Sequence, residues 1–422
     1  MGNKVKLGSL LSLLTDYHAN GAYTKLKENV ELLDDPDYAV MIRTTNFEQE
    51  CFHSNLKYIS EHAYHFLAKS KVYTGDIIMN KIANAGSSYL MPKLDSPVSL
   101  AMNLFLLRVD EKKANSTFVY LFLKLNEAYV KSFANGSVTK TITKDAVRNL
   151  EIELPDRLTQ NYIVDVYMEY TNKITLNRQI NQTLEQMAQT LFKSWFVDFD
   201  PVIDNALDVI ADGQNIEIPE SLAKRFETRK AVRDSEGFEP LPADIRQLFP
   251  CEFEESELGF VPKGWGVLRL EDILELAYGK ALKKTERIEG IVPVYGSGGV
   301  NGTHNEHLVL GPGIIVGRKG TVGSLYWEAN NFYAIDTVFY VKPRVGYSLT
   351  YCFQLLKTLG LEGMNTDAAV PGLNRNNVYR LECVSVPNDI LELFSSLVGS
   401  YQSCMDLIIK DVEILTKLRD TL

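Results

Sequence analysis

The chain has 422 residues, 45% of them hydrophobic and 23% charged, with five cysteines and a formal charge of −10. That composition describes a globular protein of two or three domains and excludes a globally disordered chain. No apolar run approaches the roughly 18 residues of a membrane span, the start MGNKVKLGSLLSLL carries no signal-peptide or myristoylation pattern, and the cysteines form no CxxC pair, so a reducing, cytoplasmic setting is expected.

From the N-terminus, VKLGSLLSL (5–13) reads as an opening helix, followed by short β-branched runs bounded by Gly and Pro that read as strands and hairpins. The first strong turn is TGDIIMNKIANAGS (74–87), and ITKDAVRNLEIELP (142–155) leads into a long helix, 156–200. There Ile163, Tyr167, Tyr170, Ile174, Leu184, Ala188, Leu191 and Trp195 recur in alternating steps of three and four, with Asn177 and Asn181 interrupting the series. A repeat of 3.5 residues is the seam of a coiled coil, and buried asparagines in a seam lower stability but restrict register.

Residues 201–260 read as a connector, because prolines alternate there with Gly213 and Gly237. From 197 to 260 the chain holds sixteen acidic and six basic side chains, which accounts for the whole net charge and leaves the rest balanced. A balanced domain can still carry a local basic face.

The part after 260 follows the plan of the part before it. LRLEDILEL (268–276) lies over VKLGSLLSL, and PGIIVGRKGTVGS (312–324) over TGDIIMNKIANAGS, pairing Ile314 with Ile77, Arg318 with Lys81 and Gly323 with Gly86. LNRNNVYRLECVSVP (373–387) lies over ITKDAVRNLEIELP, and a final helix, 388–422, repeats the seam through Phe394, Val398, Tyr401, Met405, Ile408, Val412, Leu415 and Leu422, with Arg419 as the exception. The expected fold is therefore α+β: two pseudo-repeated, strand-rich mixed α/β domains, 1–155 and 261–387, separated by a long antiparallel two-helix coiled coil, with overall pseudo-twofold symmetry. About 30 residues of helix extend roughly 45 Å.

Groups for catalysis are hard to find. There is no GxxxxGK[ST] phosphate loop. DPDY (35–38) differs from the tetrapeptide of amino-methyltransferases at Asp37, and no glycine-rich cofactor loop precedes it. His304 and His307 in THNEHL have no carboxylate completing a metal site, and GSGGVNG (296–302) is a turn signature.

What remains is donor-rich loops at matching places in the two halves. The first half has Arg43, Thr44, Thr45 and Asn46, then Lys81 and Asn84, then Lys140, Thr141, Thr143 and Lys144. The second has Arg318, Lys319 and Thr321 among Gly317, Gly320 and Gly323, with Asn374 and Arg375, and with Tyr278, Lys280, Tyr295 and Asn301. These residue types hold phosphates or read base edges, and glycines let a phosphate backbone approach main-chain N–H groups.

LNRQINQTLEQMAQTLFKSWFVDFDPV (176–202), the acidic segment, ELGFVPKGWGVLRLEDI (257–273), GPGIIVGRKGTVGS (311–324) and PGLNRNN (371–377) together resemble the specificity subunit of type I restriction and modification systems. The resemblance runs over the whole chain and is weakest in residues 1–155. It implies two target recognition domains, each reading one half of a split, asymmetric double-stranded DNA sequence, with the helix pair setting the gap between the halves. No catalytic residue and no bound cofactor are implied for this chain. S-adenosylmethionine would belong to two methyltransferase subunits docked around the helices, and ATP and Mg to two motor-nuclease subunits. The aromatics Phe192, Trp195, Phe196 and Phe199 would pack partly against the adjoining domain and partly against a methyltransferase subunit. A stand-alone DNA methyltransferase or nuclease and a protein-only scaffold are the competing readings.

Overall fold

The structure, a computed structural model, describes residues 3–136, 139–365 and 372–421. The chain divides into two compact units, 1–175 with 413–422, and 176–412. Leu422 of the expected seam and Pro371 of PGLNRNN lie outside the described residues.

The first unit is built on a four-stranded antiparallel sheet of Leu11–Asp16 (β1), Ile77–Asn80 (β2), Ser88–Leu90 (β3) and Leu104–Val109 (β4), in the order β1-β4-β2-β3. Side chains alternate across a strand, and the sheet is apolar on both faces. Ile77, Met79, Phe105 and Leu107 enter one core, while Ile78, Leu104 and Leu106 enter another. A second sheet, containing Ala39–Ile42 and Val98–Leu100, adjoins it.

The second unit repeats this with Leu274–Tyr278 (β5), Gly313–Gly317 (β6), Leu325–Glu328 (β7) and Val338–Pro343 (β8), in the order β5-β8-β6-β7. Ile314, Val316, Phe339 and Val341 face one core, and Ile315 and Val338 the other. In each unit a short antiparallel pair ties the start of the repeat to its end: Asn3–Lys6 with Glu151–Leu154, and Gly266–Arg269 with Glu382–Ser385. The opening blocks expected to be wholly helical are a strand, one turn of helix and a second strand. One turn is too short to survive alone, and pairing to the sheet takes the flanking residues.

The expected overlay holds in the hydrogen bonds. Gly86 donates to the Asn80 carbonyl and Gly323 to the Gly317 carbonyl, both at 2.9 Å. The Lys81 and Arg318 carbonyls accept from Ile142 at 3.0 Å and Leu373 at 2.8 Å. Within these equivalent sheets the register of β1 against β4 shifts between Leu11 and Leu13, so Ser12 is an extra residue that β5 lacks.

The central helix runs Arg157–Phe196 and the C-terminal helix Asn388–Asp420. Asp156 caps the first, accepting from Thr159 N at 2.9 Å. Within the second unit Phe196 meets Phe394 at 5.0 Å, and fifteen residues earlier Asn181 donates to the Met405 carbonyl at 3.3 Å, so the helices run antiparallel. Asn177 is buried in the same seam. Arg419, the exception in the apolar series, lies over the Tyr167 ring at 5.7 Å within the first unit.

Two expectations are corrected here. Phe192, Trp195, Phe196 and Phe199 are all at most 6% exposed and belong to one core with Phe249, Trp265 and Phe394, so they close the second unit and leave no aromatic face for a partner subunit. The segment that reads as a connector is itself folded. Asp200–Ala211 and Ala223–Arg233 are helices, Phe253–Ser256 and Gly259–Pro262 a hairpin. Buried Asp204 takes a double hydrogen bond from Arg229, at 2.8 and 2.6 Å, while Arg233 and Arg246 clasp Asp208. The prolines fit because Pro201 sits in the first turn of its helix, where no backbone donor is needed. Among the described residues no helix is long and apolar enough to cross a membrane, and no group of three or more His, Cys, Asp or Glu is placed to hold a metal.

Candidate nucleic-acid interface

In the first unit Lys81 follows β2 and Lys144 begins the short helix Lys144–Asn149, whose N-cap Thr143 accepts from Ala146 N at 3.1 Å. Their ammoniums meet at one carboxylate that sequence reasoning overlooked. Asp16, the last residue of β1, accepts from Lys144 at 3.0 Å and from Lys81 at 3.2 Å. Burial pushes the Asp16 carboxyl up, but the two lysines outweigh it and hold the group below the usual carboxylate range. Each lysine stays about one-third exposed.

The other residues expected to bind in this unit serve varied ends. Thr141 exchanges backbone hydrogen bonds with Asn135, and Lys140 is exposed beside it. Asn84 is exposed but accepts from Lys131 at 2.6 Å. Arg43, Thr44 and Thr45 line a cavity of about 410 Å³ with Tyr17, Met102 and Asn103, and the Asn103 carbonyl accepts from Lys81 N. Asn46 is corrected: it is 3% exposed, and its side chain is spent on Arg43 N and the Cys51 carbonyl, closing its own loop.

In the second unit Arg318 follows β6 and Arg375 begins the helix Arg375–Tyr379, capped by Asn374 through Asn376 N at 2.9 Å. Both guanidiniums lie against Tyr278, the last residue of β5, with centroid distances of 4.9 Å for Arg318 and 4.7 Å for Arg375. Such contacts orient a guanidinium plane while leaving its edge donors open. Lys319, Thr321 and Lys280 are exposed around this cluster. The turn that carries Arg318, Lys319 and Thr321 needs Gly323: its φ is +73°, and a Cβ there would stand 2.4 Å from Glu362 N.

Asn301 is exposed on the hairpin strand Gly299–His304, and its carbonyl accepts from Arg287. Tyr295 is corrected: it is 6% exposed, its hydroxyl donates to Glu328 at 2.9 Å, and burial together with that carboxylate raises its pKa. His304 is buried, accepting from Ile288 N through Nδ1 at 3.1 Å.

The two clusters are the same place in the two repeats. Lys81 corresponds to Arg318 and Lys144 to Arg375, and Asp16 and Tyr278 stand opposite Phe105 and Phe339, which are themselves equivalent. Each domain therefore presents two cations at one corner of its sheet.

The profile of the family described as "Type I restriction modification DNA specificity domain" matches residues 3–186 and 262–374, more than half of the chain. The chain belongs to that family. The two matched stretches begin at the two copies of the repeat and leave the folded acidic segment between them. This specificity-domain protein is 34% identical over 239 residues to the HindI type I restriction enzyme specificity subunit of Haemophilus influenzae, covering 52% of the chain and 51% of that relative. It is 25% identical over 319 residues to the MjaIX specificity subunit of Methanocaldococcus jannaschii, covering 72% of the chain and 66% of that relative. The specificity-domain protein thus spans about half of the first relative and just under two thirds of the second. In fold it resembles the crystal structure of a type I restriction-modification S subunit from M. genitalium, with a TM-score of 0.58 at 15% identity, covering 100% of this chain and 94% of that one.

Proposed function

We propose that the chain is the sequence-specificity subunit of a type I restriction–modification complex, reading a split, asymmetric target in double-stranded DNA with one cation-bearing domain per half. The observation that carries this reading is the duplication itself. A sheet corner with two convergent cations occurs once in each repeat, and arginine and lysine at such corners hold phosphates or donate to guanine edges. The chain contributes no catalytic group. Methylation of adenine, with S-adenosylmethionine, belongs to two methyltransferase subunits, and ATP- and Mg-dependent translocation and cleavage to two motor-nuclease subunits.

With the aromatic cluster committed to the core, docking falls to the outer faces of the helix pair. Leu176, Ile180 and Met187 on the central helix and Leu407 and Ile409 on the C-terminal helix are each between 36% and 64% exposed. Apolar side chains repeated along a helix surface fit a partner helix.

Selection of random-sequence duplexes on the chain purified with its methyltransferase subunit tests the reading. The enriched sequences are expected to contain two specified blocks around an unspecified gap, with retention falling steeply as salt rises. Enrichment of one contiguous block, or none, contradicts it. Methylation by the chain alone would favour the enzyme reading.

A further inference from the structure

The two cation pairs occupy equivalent positions but are held by different chemistry. In the first domain a carboxylate lies between two ammoniums: Asp16, with a side chain only 11% exposed, accepts from both Lys81 and Lys144. In the second an aromatic ring, 47% exposed, carries two guanidiniums: Tyr278 beneath Arg318 and Arg375. A second ring meets the first cation of each pair. Lys81 also lies over Phe105 at 5.5 Å, and Arg318 over the equivalent Phe339 at 5.7 Å. The residue that ends the first strand of each sheet, and the cations it holds, thus differ between the domains.

We propose that Asp16 and Tyr278 are positioning residues that give the two cation pairs different modes of DNA contact: a clamp on phosphate in the first domain, base reading at guanine in the second. This rests on the DNA-binding reading above. The Asp16 carboxylate cancels one of the two lysine charges, leaving a net single positive charge whose remaining donors radiate from compact ammoniums. An ammonium is a point charge with rotatable donors, suited to a phosphate oxygen and indifferent to sequence. Tyr278 cancels no charge. It fixes two planar forks whose parallel N–H donors match guanine O6 and N7. Arg318 is further held by donating to the Asp336 carbonyl at 3.1 Å, so it arrives at DNA with its plane already oriented. Nε of Arg375 is buried with no partner among the described residues, so the cluster is not internally saturated.

The test uses the full chain purified with its methyltransferase subunit, and reads block-by-block sequence preference and salt dependence for the wild type, Tyr278→Phe, Tyr278→Leu and Asp16→Asn. Tyr278→Phe keeps the ring and is expected to keep the preference. Tyr278→Leu keeps apolar bulk but removes the aromatic face, and is expected to relax discrimination at guanine by on the order of tenfold to a hundredfold, in one block only. Asp16→Asn frees the lysines: affinity should rise at low salt and the salt slope steepen by about one ion, with both sequence blocks unchanged. A merely structural role for Tyr278 would appear as equal effects of Leu and Phe, or as loss of both blocks with a lowered melting temperature, and either overturns the proposal. So does a new base preference in Asp16→Asn. A wild-type complex that enriches no sequence overturns the DNA reading itself and this inference with it, whereas a normal wild type with an unresponsive Tyr278→Leu overturns the inference alone.

Discussion

Trp195 is where much of the second unit's core converges. Its ring meets Phe249 at 5.2 Å and Phe394 at 6.1 Å, and it is 1% exposed. Trp195→Ala is expected to lower unfolding stability by about 3–5 kcal/mol, since the cavity cannot collapse among so many rings. Denaturant titration measures it, and a loss under about 1 kcal/mol would mean the ring is not core. Two thiols carry a pH signature. Burial pushes Cys352 and Cys383 up to about 12 from an ordinary 9, so the unfolded chain ionises first as pH rises. Their contribution is fully present below pH 9 and is lost as pH rises toward 12. A Cys352→Ala/Cys383→Ala variant should accordingly lose less stability than the wild type between about pH 8 and pH 10.5 in urea titrations; parallel losses would contradict the assignment. At this scale the sequence was partly legible. Arg318, Arg375, Lys81 and Lys144 stand out because glycine-rich turns and helix caps put cations at fixed offsets. Asp16 does not, because it joins the site through lysines 65 and 128 residues away. Tyr295 misleads because a hairpin pattern does not say which face meets the core.

Among the elements, the helix pair and the acidic segment use buried polar groups in opposite ways. Asn177 Nδ2 and Asn181 Oδ1 are buried with no partner among the described residues, although Asn181 Nδ2 reaches Met405. Replacing Asn177 with Leu should raise stability by on the order of 1–3 kcal/mol, the cost of an unsatisfied buried group, while loosening register. Calorimetry reads the first effect and cysteine cross-linking across the seam the second; a destabilised variant would show that Asn177 is paired. The acidic segment instead satisfies its buried carboxylate. Asp204 is 2% exposed and takes the double hydrogen bond of Arg229, so Asp204→Ala leaves that guanidinium only its longer contact to Asp200 and should cost about 3 kcal/mol. Thermal melting would show it, and a change within experimental error would mean the segment contributes nothing to the fold. The 3.5-residue seam was legible because periodicity survives without tertiary knowledge. The folding of the acidic segment was not, because Asp204 and Asp208 are met by arginines some 25 residues away, a pairing that composition cannot display.

The molecule as a whole is a duplication whose copies share a four-stranded sheet, a glycine turn and a pair of cations. The three colinear blocks make that duplication legible in the sequence alone, since turns constrain residue type more tightly than strands do. The chemistry that distinguishes the copies, Asp16 against Tyr278, lies three and two residues past the first aligned block. If the antiparallel helices set the gap between two DNA blocks, their length is the adjustable quantity. Four residues of helix are about 6 Å, or one to two base pairs of duplex. The most direct measurement is genome-wide mapping of methylated adenines in cells carrying the system, with the wild-type chain and with a four-residue deletion in the central helix. The account predicts the same two sequence blocks in both, separated by a gap one or two base pairs shorter in the variant. An unchanged gap, or altered blocks, would contradict it.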